Sequence, residues 1–235
     1  MNAGNCAMAD FLILSSVKNF CVQRKNINHF YLYYLQHPKL LFNPHLGSTR
    51  LITDINKAMG HTNYSYKVLV LDDGSKDSTG NAARKAGAIV YSLPKNYGLA
   101  ETFKTEIDKC LELKADIIVH IDADRQYQAN EIPKLLAEIK KGYDLVLGSR
   151  FKGKIEEMPF VKRWGNIAFS GVISEITGLN ISDAQTGFRA FTKEVAKKIN
   201  IISGHTYTQE QIIKAVRQKF KVTEVPVYFA SRKDK

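Results

Sequence analysis

Ile117-Ile118-Val119-His120-Ile121-Asp122-Ala123-Asp124-Arg125-Gln126 is the stretch whose reading decides the fold. Its first half is a short apolar run rich in β-branched residues, which reads as a buried strand. The run ends abruptly in carboxylates and an amide. If the backbone stays extended, side chains two apart share a face, so Asp122, Asp124 and Gln126 project together from the strand's C-terminal end. In open α/β sheets ligands bind at that end. Three oxygen donors there suit a hard divalent cation, Mg²⁺ or Mn²⁺. For Asp-x-Asp by itself, an acidic loop closing a strand is the plainer alternative.

Upstream the same pattern recurs. Tyr66 to Leu71 reads as a strand and runs into Asp72-Asp73-Gly74-Ser75, where Gly74 permits a sharp turn and a close approach to a ligand. Helical spacing follows around Ala82, Ala83 and Ala86, then a short strand over Ala88 to Tyr91 and a helix over Leu99 to Leu113. Downstream, Glu131 to Lys141 has helical spacing, and Tyr143 to Leu147 reads as a strand ending in Gly148-Ser149-Arg150. Strands that alternate with helices predict an α/β fold with a mixed, mostly parallel central sheet and helices on both faces. Lys152 to Pro159 reads as a charged loop. Pro159 to Thr177 reads as a helix, with Trp164, Ile167, Ala168, Val172 and Ile176 expected on its buried side. Lys221 to Tyr228 reads as a last strand, placed at an edge by Pro226.

A chain of 235 residues with 44% hydrophobic content is long enough for one such domain and a sizeable core. The net charge of +11 favours an anionic partner: nucleotide phosphates, acidic lipid or nucleic acid. No basic run with interleaved aromatics points at nucleic acid, and none is expected as a partner. The cysteines Cys6, Cys21 and Cys110 form no Cys-x-x-Cys pair, so neither a disulfide framework nor a zinc knuckle is expected, and a reducing cytosol fits. No apolar run reaches the ~20 residues that a membrane-spanning helix needs, and Phe11 to Val17 makes a poor signal peptide.

Seven segments, taken in order, carry a family resemblance: VLVLDDGSKDST (68–79), KNYGLA (95–100), DADRQ (122–126), LVLGSR (145–150), SDAQTGFRAF (182–191), YTQEQI (207–212) and VTEVPV (222–227). Together they resemble the family 2 glycosyltransferases of GT-A (Rossmann-like) fold, in particular the dolichyl- and polyprenyl-phosphate mannose and glucose synthases. The resemblance implies an inverting, metal-dependent hexosyltransferase. Its donor would be a nucleotide sugar (GDP-mannose or a UDP-sugar), its cofactor Mg²⁺ or Mn²⁺, and its acceptor a polyprenyl or dolichyl phosphate. It implies a cytoplasmic protein in peripheral contact with the membrane. Residue by residue, Asp73 matches the nucleoside contact. Asp122, Ala123, Asp124 and Gln126 match the metal and diphosphate positions, with Asp122, Asp124 and Gln126 as metal ligands. Arg150 matches a cation near the donor phosphates. Asp183, Arg189 and Glu210 match the acceptor side, with Asp124, Arg150 and Asp183 as the catalytic set. Lys162, Arg163 and Arg232 are further phosphate contacts. Arg189 and Glu210 have a plainer alternative as a structural ion pair. His120 reads as a packing or surface residue.

Residues 1–48 depart from this pattern. They lack the family's opening strand and its Pro-x-Tyr-Asn-Glu loop, and read as an extension ahead of a domain over 49–235. The expected sheet therefore lacks its first strand or takes a substitute from residues 11–17. A non-catalytic remnant with impaired donor binding is the competing function. A nucleotidyltransferase is a third, without the Gly-rich, Lys-bearing loop that such an enzyme would use.

Overall fold

The computed structural model describes residues 30–35, 44–75, 78–122 and 124–231. Its centre is a sheet built from three parallel strands: β1 (Phe30–Leu35), β2 (Tyr66–Asp72) and β4 (Ile117–Asp122). β1 lies between the other two. Leu35 is in register with Leu71 on one side and Asp122 on the other. β3 (Ile89–Ser92) extends the sheet beyond β2 in parallel. On the other side come β6 (Arg189–Thr192), β5 (Leu145–Ile155) and β7 (Val222–Phe229), giving the order β3-β2-β1-β4-β6-β5-β7. β6 alone runs antiparallel to its neighbours. This is the mixed, mostly parallel sheet that the sequence predicts, with β7 at an edge.

The strand side chains sort by period two into two cores. Val68, Val70, Ile117, Val119 and Ile121 face helices α1 (Pro44–Met59) and α4 (Ile132–Lys140), which contribute Leu51, Ile52, Ile55, Met59, Ile132, Leu135, Leu136 and Ile139. Leu69, Ile118, Leu145, Leu147 and Phe191 face the other way. There they meet α3 (Leu99–Glu112), α6 (Lys193–Lys198) and α7 (Tyr207–Arg217). α2 (Thr79–Lys85) links β2 to β3, and α5 (Phe160–Thr177) follows β5.

Three sequence expectations change. The place left empty for a first strand is filled by Phe30–Leu35, a continuous aromatic and aliphatic run without alternation. Strands of parallel sheets commonly read as such continuous apolar runs, with no alternation of polarity to mark them. The substitute segment 11–17 lies outside the described residues. Helix α1 begins at Pro44, so the regular fold draws on residues ahead of the expected 48/49 boundary.

Second, β5 runs on to Ile155 where a charged loop was expected, with a register shift against β7 between Ser149 and Lys154. Such irregularities re-aim side chains, and Arg150 sits at this one. Third, α5 is inverted. Trp164, Ile167, Val172 and Ile176 are 41–57% exposed and Ala168 is also exposed, while Asn166, Ser170 and Ile173 are buried. The inner stripe works through hydrogen bonds: Ser170 Oγ accepts from Ala184 N (3.0 Å), and Ser174 Oγ accepts from Ile181 N (3.0 Å). Polar docking to the 181–184 loop turns the apolar face outward.

The insertion of β1 is open to direct measurement. A strand paired on both sides has its amides protected to the stability of the whole domain. In native-state hydrogen exchange the Tyr31 to Leu35 amides are expected to exchange as slowly as those of Ile118 to Ile121. Fast exchange confined to 31–35 would show that this strand is not part of the central ladder.

Candidate active site

The parallel ladder sets the C-terminal ends of β2 and β4 on one edge of the sheet, with β1 between them. The β2 turn is tightly built. Asp72 Oδ1 accepts from Ser75 N (3.0 Å) and Oδ2 from Ser92 Oγ (3.2 Å). Asp73 is 5% exposed, and its carboxylate accepts from Tyr97 N (2.8 Å) and Gly98 N (3.1 Å) at the entry to α3. Gly74 has φ +75°, and a Cβ there would lie 2.6 Å from the Lys95 carbonyl carbon. Left-handed backbone and direct contact with the 95–96 backbone both demand glycine. The DDGS and KNYG segments thus form one clamp, and Asp73 is its bolt.

At the β4 turn the chain does not stay extended. The strand ends at Asp122, and Arg125 takes a left-handed φ of 59°. Asp124 Oδ1 accepts from Gln126 N (3.1 Å), while Gln126 Nε2 donates to Ala230 O (3.1 Å) beyond the end of β7. The common projection of Asp122, Asp124 and Gln126 predicted from strand geometry is therefore replaced by a turn with Gln126 pinned to the neighbouring chain. Ala123 lies outside the described residues, as does Arg232.

Asp122 is one-third exposed (33%), and it is surrounded. His120 Nε2 lies 3.6 Å from its Oδ1. On the other side, a Cβ on Gly187 would fall 2.2 Å from its Oδ2, so this glycine makes the space the carboxylate occupies. Burial works against the charge. The His120 ring, then Arg189 and Arg150, outweigh it and hold the carboxyl below the usual carboxylate range. The mirror effect acts on His120, where burial opposes the imidazolium but Glu106 and Asp122 hold its pKa up at about 9.

Arg150 and Asp183 are locked together. Nε donates to Oδ2 (2.7 Å), Nη2 to Oδ1 (2.7 Å), and the Arg150 backbone N–H also reaches Oδ2 (2.9 Å). Asp183 is fully buried and Arg150 5% exposed. This is the fork-to-fork geometry that makes arginine–carboxylate pairs strong. Glu224 of β7 holds the loop in place, accepting from Ser182 N (3.0 Å), Asp183 N (2.9 Å) and Ser182 Oγ (2.8 Å). Arg189 is fully buried and donates to Thr208 O (3.1 Å), Gln211 Oε1 (2.9 Å) and Thr186 O.

Asp122 thus feels the charges of Arg150 and Arg189, and Tyr127, whose hydroxyl meets Thr186 Oγ1 at 3.1 Å, feels those of Arg150, Asp183 and Asp122. Glu210 stands apart. It accepts from Ile202 N (2.9 Å) and Ser203 N (2.8 Å) and pairs with Lys214 (2.6 Å). The alternative of an Arg189–Glu210 ion pair is replaced by these separate sets of partners.

The carboxylates at the end of β4 that a cation could meet are Asp122 and Asp124. No group of three or more His, Cys, Asp or Glu residues able to hold a metal occurs among the described residues. Two carboxylates fit a Mg²⁺-like ion that keeps water and substrate phosphate oxygens in its other positions. His120 is buried, in keeping with its reading as a packing residue, but sequence reasoning gave neither its Glu106 partner nor the space that Gly187 leaves beside Asp122. The one available signal was His120 two residues before Asp122, on the same strand face.

A family model described as Glycosyl transferase family 2 matches residues 49–200. A dolichyl-phosphate hexose transferase of Haloferax volcanii is 33% identical over 165 residues, covering 70% of each chain. A polyprenol monophosphomannose synthase of Mycolicibacterium smegmatis is 28% identical, covering 70% of this chain and 67% of its own. Among solved structures, glucosyl-3-phosphoglycerate synthase of Mycobacterium tuberculosis, in a complex with Mn²⁺, UDP-glucose and phosphoglyceric acid, superposes with a TM-score of 0.66. The match covers 88% of this chain and 72% of that one at 17% identity, and it establishes the GT-A fold.

Glu210 offers a pH test. Burial works against its charge, but Lys214 and the Ile202 and Ser203 amides depress its pKa in the folded state. A depressed carboxylate stabilises the fold above its unfolded pKa, and that contribution is lost as pH falls through the folded value. Glu210→Gln is expected to cost about 1 kcal/mol at neutral pH. The difference from the unsubstituted chain should shrink below pH ~4, near the unfolded carboxylate pKa. Denaturant midpoints at both pH values check this.

Proposed function

The chain belongs to glycosyl transferase family 2, and on that premise we propose that it transfers a hexose from a nucleoside-diphosphate sugar to a polyprenyl phosphate. One observation carries the reading: Asp122 at the C-terminal sheet edge, under the charges of Arg150 and Arg189 and separated from the Asp73 turn by a single strand. A nucleoside diphosphate is long enough to reach both turns. Its nucleoside would lie toward Asp73 and its diphosphate toward Asp122 and Asp124. A Mg²⁺ or Mn²⁺ ion held by these two carboxylates would offset charge on the diphosphate as the sugar leaves. Gln126 orients the turn through its bonds to Ala230. Arg150 adds a fixed cation, aimed by Asp183, in a site where pre-set charge acts strongly.

The state of Asp183 supports a phosphate acceptor. Its carboxylate is buried and accepts three N–H bonds from Arg150, which suits an anchor better than a general base. A phosphate acceptor is already largely ionised near neutral pH and needs positioning rather than deprotonation. Direct displacement by that oxygen inverts the sugar carbon. GDP-mannose and UDP-hexoses are the donors to test. Arg189, held by Thr208 and Gln211, lies on the acceptor side in this reading, while Glu210 holds the 202–203 loop.

The outward face of α5 supports contact with a membrane surface. Phe160, Val161, Trp164, Phe169 and Val172 are 52–83% exposed, beside exposed Lys162 and Arg163. Apolar side chains flanked by cations suit an anionic lipid interface. No helix among the described residues is long and apolar enough to cross a membrane. A non-catalytic remnant is the second reading, favoured by the absence of Pro-x-Tyr-Asn-Glu from the sequence.

With polyprenyl phosphate and Mn²⁺ present, the protein is expected to release GDP or UDP from the matching sugar donor. Chelator should stop release, and Asp124→Ala should lower kcat/KM by about 10²-fold or more. No turnover with any GDP- or UDP-hexose would favour the remnant. Trp164, the chain's single tryptophan, reports on the membrane separately. Its emission is expected to shift to shorter wavelength with vesicles containing anionic lipid, and less so at high salt.

A further inference from the structure

We propose that Glu106 and His120 are a buried positioning pair that sets the orientation of the Asp122 carboxylate for the metal–diphosphate group. The proposal rests on the donor-site reading above and goes beyond it by assigning work to two residues outside that site.

The geometry is specific. Glu106 on α3 and His120 on β4 are both fully buried, and His120 Nδ1 lies 2.8 Å from Glu106 Oε1 and 3.2 Å from Oε2. Phe103 stands edge-on to the imidazole at 5.3 Å, and Tyr207 at 6.2 Å. These contacts fix the ring. With Nδ1 committed to Glu106, Nε2 emerges on the opposite side of the ring. It has no hydrogen-bond partner among the described residues and lies 3.6 Å from Asp122 Oδ1. Hydrogen bonds of this kind reach about 3.2 Å, so a movement of a few tenths of an ångström completes one. Gly187 confines the opposite oxygen of the same carboxylate.

Two buried ionisable groups, with the buried Arg189 directly across the β4–β6 ladder from His120, are a poor way to stabilise a fold, since desolvation offsets their attraction. Leu69, Ile118 and Phe191 fill the same layer with hydrocarbon. A buried carboxylate–imidazole pair ending on a metal-binding carboxylate has a different use. It fixes which way that ligand's oxygens point, and removal of such outer partners typically weakens metal binding by about 10–100-fold.

The test measures Mn²⁺ binding in the presence of GDP or UDP, by the electron paramagnetic resonance signal of free Mn²⁺, alongside the melting temperature. His120→Leu alone would strand a buried Glu106 charge. The informative variant is therefore Glu106→Leu with His120→Leu, which removes both charges together. It is expected to melt close to the unsubstituted protein and to bind Mn²⁺–nucleotide about tenfold or more weakly. His120→Gln, which retains an amide donor near the Nε2 position, is expected to restore part of that loss. If the double leucine variant binds Mn²⁺–nucleotide as tightly as the unsubstituted chain, the pair is structural only and the proposal fails. If the unsubstituted chain itself binds no Mn²⁺–nucleotide, the donor-site reading fails and this proposal falls with it.

Discussion

The parallel ladder of β2, β1 and β4 is the constraint on which everything else rests. Leu35 pairs with Leu71 and with Asp122, so the two acidic strand ends are held flush on one edge. Neighbouring strands lie ~4.8 Å apart, which puts those ends about 10 Å from each other. That spacing is set by backbone hydrogen bonds and not by the acidic residues themselves. Without β1 there would be a groove of unpaired peptide groups between the two turns, and no fixed relation between them.

Around that edge the polar groups are arranged in relays. Glu224 holds the Ser182–Asp183 backbone, Asp183 holds Arg150, and Arg150 lends its charge to Asp122. α5 contributes from the other side, with Ser170 receiving the Ala184 N–H. Asp72, Asp73, Asp183 and Glu224 each accept backbone hydrogen bonds from a neighbouring loop, and Asp124 accepts one within its own turn.

The α/β alternation and both acidic turns were legible in the sequence, because buried parallel strands and the Gly74 turn leave strong local signals. The β1 strand was not, since FYLYYL has no alternation and stands among residues that lack a regular pattern. The inverted α5 was missed for a related reason. Spacing identifies an apolar face, but it does not say whether that face meets the core or the surroundings, and here Ser170 and Ser174 take the inner side through hydrogen bonds. The sequence offers candidate site residues as types, but not their partners. Asp183 meets Arg150 across 33 residues and Glu224 meets Asp183 across 41. Such pairings depend on tertiary structure, and so does the contact between His120 and Glu106.

If the Asp72–Ser75 turn and the Asp122–Gln126 turn form one nucleotide site across β1, hydrogen exchange with and without GDP or UDP plus Mn²⁺ will show it. Ligand is then expected to slow exchange at both turns together, and in the 186–189 segment beside Asp122. The opposite sheet edge, around 142–145, should be unaffected. Protection at only one turn, or at the opposite edge, would contradict it.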